Sequence, residues 1–200
     1  MKKTALAFLT FFLVAFMGNA QTDSTNDTFS KPCPRSYEVK QAWEIESLVP
    51  MFITGGFHVA VCFRYEKFRF RVSVINGGDY DAESAGIKNS SQDFKRYYKT
   101  SPGLFAGYNV WKGLEVYTYL ESHTFEIEQK STSIKKDLHS TDTGVGISYQ
   151  FFIGQSFYIQ PGFHVYLRGD KSLDFGDQQY RISNVDLSPV LRLGYRLWRK

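Results

Sequence analysis

The sequence predicts an all-β chain folded as one eight-stranded antiparallel up-and-down transmembrane β-barrel. Three observations carry that reading. Eight segments after Arg35 alternate apolar and polar residues with a period of two. Their connections alternate between tight and long, so the tight turns share one end of the predicted barrel. Aromatic residues make up 17% of the chain, and many gather beside those tight turns.

Composition narrows the field before any segment is placed. A chain of 200 residues holds one ordinary domain. Eighteen Phe, 13 Tyr and 3 Trp argue against disorder, because disordered segments are poor in aromatic rings. Two cysteines exclude a disulfide scaffold. The net charge of +4 falls to +2 when Lys2 and Lys3 are removed, which is too little for a nucleic-acid binder. No stretch reaches the 18 apolar residues of a membrane helix. The mean hydropathy of -0.32 is compatible with a membrane barrel, whose lumen-facing residues offset its lipid-facing ones.

The first 36 residues are read as processing and leader. Lys2 and Lys3 precede an apolar run from Ala5 to Met17, broken only by Thr10, and Gly18-Asn19-Ala20 supplies small residues before a cut. That pattern predicts a signal peptide over 1–20, cleaved after Ala20, with an apolar run too short to span a bilayer. A retained N-terminal anchor is the alternative. The residue after the cut is Gln21, so a lipoprotein anchor is not supported. Residues 21–36 are polar with two prolines and read as a flexible periplasmic leader, leaving 37–200 for the barrel. Export would place the mature chain in an oxidising space.

The segments follow in order. Tyr37, Val39, Trp43 and Ile45 alternate with Glu38, Lys40, Ala42 and Glu44. Ile53 to Phe63 places its apolar residues opposite Thr54, His58, Cys62 and Arg64. Phe68, Phe70, Val72 and Val74 oppose Lys67, Arg69, Arg71 and Ser73, a charged face that suits water or a polar lumen better than a soluble core. Leu104 to Val110 forms the fourth segment and Leu114 to Glu121 the fifth. The fifth is the least regular, and a bulge is expected between Ser122 and Ile127. Val145 to Phe151, Phe157 to Leu167 and Val185 to Leu197 complete eight.

Tight turns fall near Tyr65-Glu66, Trp111-Lys112-Gly113 and Gly154-Gln155, whereas 76–101, 128–142 and 169–184 read as long polar loops. The short link at Leu48-Val49-Pro50 is the exception on the long-loop side. Phe63, Tyr65, Phe68, Trp111, Phe151, Phe157 and Trp198 lie by the tight turns, as the periplasmic aromatic girdle of an outer-membrane barrel would. A soluble sandwich is the competing fold, but its eight apolar faces would need a second sheet to cover them.

On these residues the chain resembles the small eight-stranded outer-membrane barrels, the outer-membrane-protein β-barrel-domain or porin-like family. The resemblance extends over nearly all of 37–198, with Gln160-Pro161-Gly162 and the closing run Pro189 to Leu197 as its most typical pieces. It implies an outer-membrane location, contact with outer-membrane lipid, insertion by the barrel-assembly machinery and a monomeric state. Many such barrels end on an aromatic residue, whereas here Arg199-Lys200 follow Trp198.

Eight strands leave a bore only wide enough for side chains, so charges pointing inward must pair. The lumen network is expected to comprise Glu38, Lys40, Glu44, Arg69, Arg71, Glu115, Glu121, Arg168, Asp186, Arg192 and Arg196. Such a plug argues against open flow of nutrients and leaves small-ion leakage open. Glu121-Ser122-His123 and His139-Ser140 contain the residue types of a serine hydrolase. Ser122 and His123 must point to opposite faces, however, and His123 would reach Ser140 only if the loop folded back. His58 and His164 offer two nitrogens where a metal wants three or four ligands. No catalytic, cofactor or metal residue is therefore expected. Cys33 precedes the first strand and Cys62 lies low on the second, so the pair reads either as a disulfide or as two free thiols.

Tyr80, Phe94, Tyr97 and Tyr98 in one long loop, with Lys130, Lys135 and Lys136 in another, suit contact with a ligand or lipopolysaccharide. The functional expectation is an integral outer-membrane protein of structural or surface-interaction type, with no nucleic-acid partner and a loop ligand the residues do not name. Two alternatives stand beside it. One is a lipid-modifying enzyme of the outer membrane, and the other a secreted soluble barrel that binds a small apolar ligand.

Overall fold

A computed structural model describes residues 39–82, 84–85, 93–169, 171–176 and 178–200. The predicted signal peptide, the leader, Cys33 and Glu38 lie outside them. Strands β1 (Gln41–Leu48), β2 (Phe57–Tyr65), β3 (Phe68–Ala82), β4 (Phe94–Trp111), β5 (Leu114–Gln129) and β6 (Ile134–Tyr149) run in sequence order. They are followed by β7 (Phe151–Ile153), β8 (Phe157–Leu167), β9 (Lys171–Asp174), β10 (Gln179–Ile182) and β11 (Val185–Arg199). From β1 to β6 each strand pairs antiparallel with the next, β6 passes to β8, and β11 pairs with both β8 and β1. The ring closes on eight staves. Short β7 continues β6 in the same register against β8, so the two make one stave interrupted at Gln150.

The register fixes the stagger. Successive partners of Glu44 are Cys62, Arg71, Phe105, Tyr119, Gly144, Tyr166 and Asp186. The walk arrives at Asp186, ten residues short of Arg196, which is the direct partner of Glu44. A shear of ten tilts eight strands enough to close a narrow barrel that side chains can fill.

Alternation does the sorting that the sequence implied. Val59, Val72, Leu104, Val145 and Leu187 point outward and are 48 to 65% exposed, while the strand neighbours of Val59, Val72 and Leu104 are buried inside. No helix among the described residues is long and apolar enough to cross a membrane. The outward belt instead presents apolar side chains all the way round, as a barrel facing lipid requires. Trp43, Tyr65, Phe68, Trp111, Phe151 and Trp198 are exposed toward the tight-turn end. The tight turns carry Glu66 and Lys112 at positive φ, as two-residue hairpin turns demand.

Four expectations are corrected. The first strand begins at Gln41, so Lys40 is exposed at the barrel rim, its backbone N–H bonded to Lys200 O, and takes no part in the lumen. Val49–Ile53 forms a short helix, α1, across the expected link, so the second strand begins at Phe57 and not at Ile53. Pro50 sits in its first turn, where its fixed φ and missing donor cost nothing, and Gly55 turns the chain away at φ 84°. The long loops are largely strand: β3 and β4 extend to Ala82 and from Phe94, β5 and β6 meet across residues 130–133, and β9–β10 form a hairpin of their own. Finally, β5 has no bulge. Its pairing with β6 is unbroken from Leu114 to Gln129, and the register shifts of the upper strands lie at Ile75/Gly77 and Gly77/Asp79 on β3 and at Tyr98/Gly103 on β4.

Those bulges mark a change of surroundings. Below them the odd-numbered residues of β3 and β4 point inward; above them Ala82, Phe94 and Tyr98 do. On β5 the inward parity never changes, but the chemistry does. Glu115 and Glu121 face inward below, and Phe125 and Ile127 face inward above while Glu126 and Glu128 face out. A strand leaving lipid for water must exchange its apolar and polar faces, and β5 does so by composition where β3 and β4 do so by bulging. Above the barrel the four strands and the β9–β10 hairpin thus form a head with its own apolar core: Ala82, Phe94, Phe125, Ile127, Leu138, Phe175, Tyr180 and Ile182.

Candidate functional site

Among the described residues the interior is where the fold concentrates buried polar chemistry, and it is built in layers. The lowest is an ion-pair network. Arg69 on β3 is its hub. Its Nε donates to Glu44 Oε2 at 2.9 Å, its Nη1 to Glu115 Oε2 and Gln160 Oε1 at 3.1 Å, and its Nη2 to Glu46 Oε2 at 2.7 Å. Nη2 also donates to Tyr158 Oη at 2.6 Å and lies 3.4 Å from the buried Cys62 Sγ. Arg196 clamps Glu44 Oε1 from Nε and Nη2, at 3.0 and 2.7 Å. Arg64 stands 3.8 Å from the same oxygen and donates to Gln150. Arg71 pairs with Glu46 and lies 3.6 Å from Glu115 Oε1, and Arg192 Nε is 3.5 Å from Glu46 Oε1. One network therefore ties β1, β2, β3, β5, β8 and β11 together.

A ring layer lies above it. Phe105, Tyr117 and Tyr119 form a buried cluster against Tyr166, with His164 among them. Glycine makes the room. A Cβ on Gly146 would stand 2.3 Å from the Tyr117 ring, and one on Gly194 would stand 2.1 Å from the Tyr158 ring.

The third layer is smaller and more acidic. Arg168 Nε donates to Asp142 Oδ2 at 2.6 Å, and His123 Nε2 lies 3.5 Å from Glu121 and 3.7 Å from Asp142. Ser140 donates to Asp142. The apolar core of the head closes the top. Outside it the head's charges are paired on its surface: Lys99 with Asp137 at 2.7 Å, Lys135 with Glu126 at 2.8 Å and Lys130 with Asp81 at 2.6 Å. The Asp137 hydrogen bond holds the Lys99 ammonium above its ordinary pKa, and the Lys130 hydrogen bond holds Asp81 below its own.

Of the predicted lumen residues, Glu44, Arg69, Arg71, Glu115, Arg192 and Arg196 stand in the lowest layer, and Glu121 and Arg168 in the third. Asp186 is 45% exposed at the upper rim, 3.5 Å from Arg168. Arg64, Tyr158 and Gln160 are also interior, on the inward faces where the alternation puts them, while Glu46 and Asp142 belong to the interior and escaped the sequence reading. Glu46 was findable, since it continues the inward alternation of Ala42 and Glu44. Asp142 was hidden because its segment reads as loop.

The hairpin makes His123 and Ser140 direct cross-strand partners with both side chains buried, with no folding back of a loop. Their order does not match a hydrolase relay, in which the serine is bonded to the histidine. Here Ser140 is bonded to the acid. Ser122 points out, as expected. His58 Nδ1 accepts from the Leu48 N–H at 3.1 Å and His164 faces Arg192. Among the described residues no group of three His, Cys, Asp or Glu side chains is placed to hold a metal.

An apolar belt outside, ion pairs inside and a closed ring of eight antiparallel staves define the class: a transmembrane-type β-barrel with a filled lumen. Two solved structures are similar to the chain. One is the N-terminal β-barrel domain of Pseudomonas aeruginosa OprF, at 12% identity and a TM-score of 0.45, covering 80% of this chain and 98% of that one. The other is Neisserial surface protein A, NspA, at 14% identity and a TM-score of 0.41, covering 78% of this chain and 93% of that one. No family model and no curated protein matches the chain.

Proposed function

We propose that this chain is an integral outer-membrane barrel of structural or surface-contact type rather than a pore. The observation that supports the reading is the combination of a belt that only lipid can cover with an interior filled by paired charges and rings. An unpaired ion in such a bore would cost several kcal/mol, so the side chains are held against one another and leave little to conduct. Outer-membrane lipid is the partner of the belt, and the barrel-assembly machinery the partner during insertion. The barrel acts as a monomer. The head, raised above the membrane on extended strands, is the part offered to external contacts, with Lys99, Lys135 and Asp137 on its surface.

Two readouts test this. In planar bilayers the purified chain gives no porin-sized conductance steps. On intact cells a membrane-impermeant amine reagent modifies Lys99 and Lys135 in the head and spares Lys67 and Lys112 at the tight turns. Porin-sized steps, or the reverse labelling pattern, contradict the proposal.

A further inference from the structure

The lowest layer is not neutral. Its guanidiniums are Arg64, Arg69, Arg71, Arg192 and Arg196, against the carboxylates of Glu44, Glu46 and Glu115, so among the described residues five positive charges face three negative ones. The excess is localised. Arg69 and Arg196 take both oxygens of Glu44, and Arg69 takes Glu46 Oε2 and Glu115 Oε2. What is left for Arg71 and Arg192 is largely one oxygen, Glu46 Oε1, which both approach through Nε.

The outer edges of these two guanidiniums are where donors go unused. Arg71 Nη1 and Nη2 and Arg192 Nη1 are buried and make no hydrogen bond among the described residues, with only a 3.6 Å approach of Arg71 Nη2 to Glu115 Oε1. The two groups are neighbours because both Nε atoms approach the same Glu46 Oε1, and both lie by the Tyr117 ring, 5.6 and 5.4 Å from its centre. His164 Nε2 faces Arg192 Nη2. A guanidinium only donates, so that nitrogen is the acceptor and the imidazole brings no negative charge. Two buried cations sharing half a carboxylate, with three idle donors, make a setting that a small anion would relieve.

We propose that the barrel interior binds one small monovalent anion of the halide class at the Nη edges of Arg71 and Arg192, beneath the ring layer. The narrow bore restricts the ligand to something near atomic size, which excludes phosphate esters and carboxylate metabolites. The anion halves the positive excess of the lowest layer, and barrel stability therefore depends on halide concentration.

The test uses the full chain folded in non-ionic detergent with sodium bromide as probe, replaced by sodium sulfate at constant ionic strength. The unfolding midpoint of wild type rises with bromide and saturates. In Arg192→Gln the half-saturating bromide concentration moves up by about tenfold or more, as loss of one charge-assisted hydrogen bond implies. In Glu115→Gln, which deepens the positive excess, it moves down. A role of the arginines in packing alone would leave all three proteins with the same bromide response, and that result overturns the proposal. Crystals of wild type grown in bromide supply a readout that needs no variant. An anomalous peak within hydrogen-bond reach of both guanidiniums supports the site, and an interior without such a peak refutes it.

Discussion

Arg69 and Glu44 meet at 2.9 Å across the bore, from β3 to β1, with both side chains fully buried. The pair closes the ring from inside, because β1 is the strand on which the closing β11 also lands. Removing one partner strands the other in a dry interior, which costs about 3–5 kcal/mol. Arg69→Met should therefore destabilise the folded barrel by about that amount, measured by urea unfolding in detergent. Glu44→Gln should do similar damage, and the double variant should cost less than the two losses added together.

Gly146 and Tyr117 are matched in the same way, a missing side chain against a ring. The Cβ of an alanine would sit 2.3 Å from that ring, inside any tolerable contact. Gly146→Ala is expected to lose about 1–3 kcal/mol, the usual cost of overpacking. Shortening the opposing residue in Gly146→Ala/Tyr117→Leu should recover part of it. An unchanged unfolding curve for the single variant would show that the ring layer is looser than described.

The outer belt makes a prediction about depth. Val145 lies in the belt at 58% exposure, and Ile134 lies in the head at 43%. Val145→Arg should cost about 2–4 kcal/mol if lipid covers it, and Ile134→Arg should stay within about 0.5 kcal/mol because water covers it. Equal effects at the two positions would remove the membrane from the account.

The third layer predicts a lack of chemistry. Ser140 donates to Asp142 rather than to His123, so Ser140→Ala and His123→Ala should leave the lipid composition of expressing cells unchanged. Ser140→Ala should lower stability by about 1–3 kcal/mol, because it leaves the buried Asp142 carboxylate one donor short. Lipid deacylation lost in both variants would instead point to the enzymatic alternative.

The barrel was legible because alternation is a local signal, and in lipid it is enforced on every stave. Phe68 to Val74 against Arg69 to Ser73 carries its own inside and outside. The head was illegible for the same reason. Phe125 and Ile127 keep the inward parity of Glu121 but reverse its polarity, and in the sequence such a reversal looks like a slipped register. On β3, Gly77 and Gly78 at positive φ do slip it, within a stretch whose Gly and Asp content reads as loop. The lumen network was visible as a set of charges, but its pairing was not. Which carboxylate meets Arg69 depends on a stagger of ten residues, set by eight registers at once.

The measurement that tests the account most directly is electrophoretic mobility of the membrane-fraction protein in mild detergent, boiled against unboiled. A closed barrel held by its interior ion pairs stays folded without boiling and migrates faster, and Arg69→Met should lose that fast band at a lower temperature than wild type. A single unshifted band, with the protein recovered in the soluble fraction, would contradict the account.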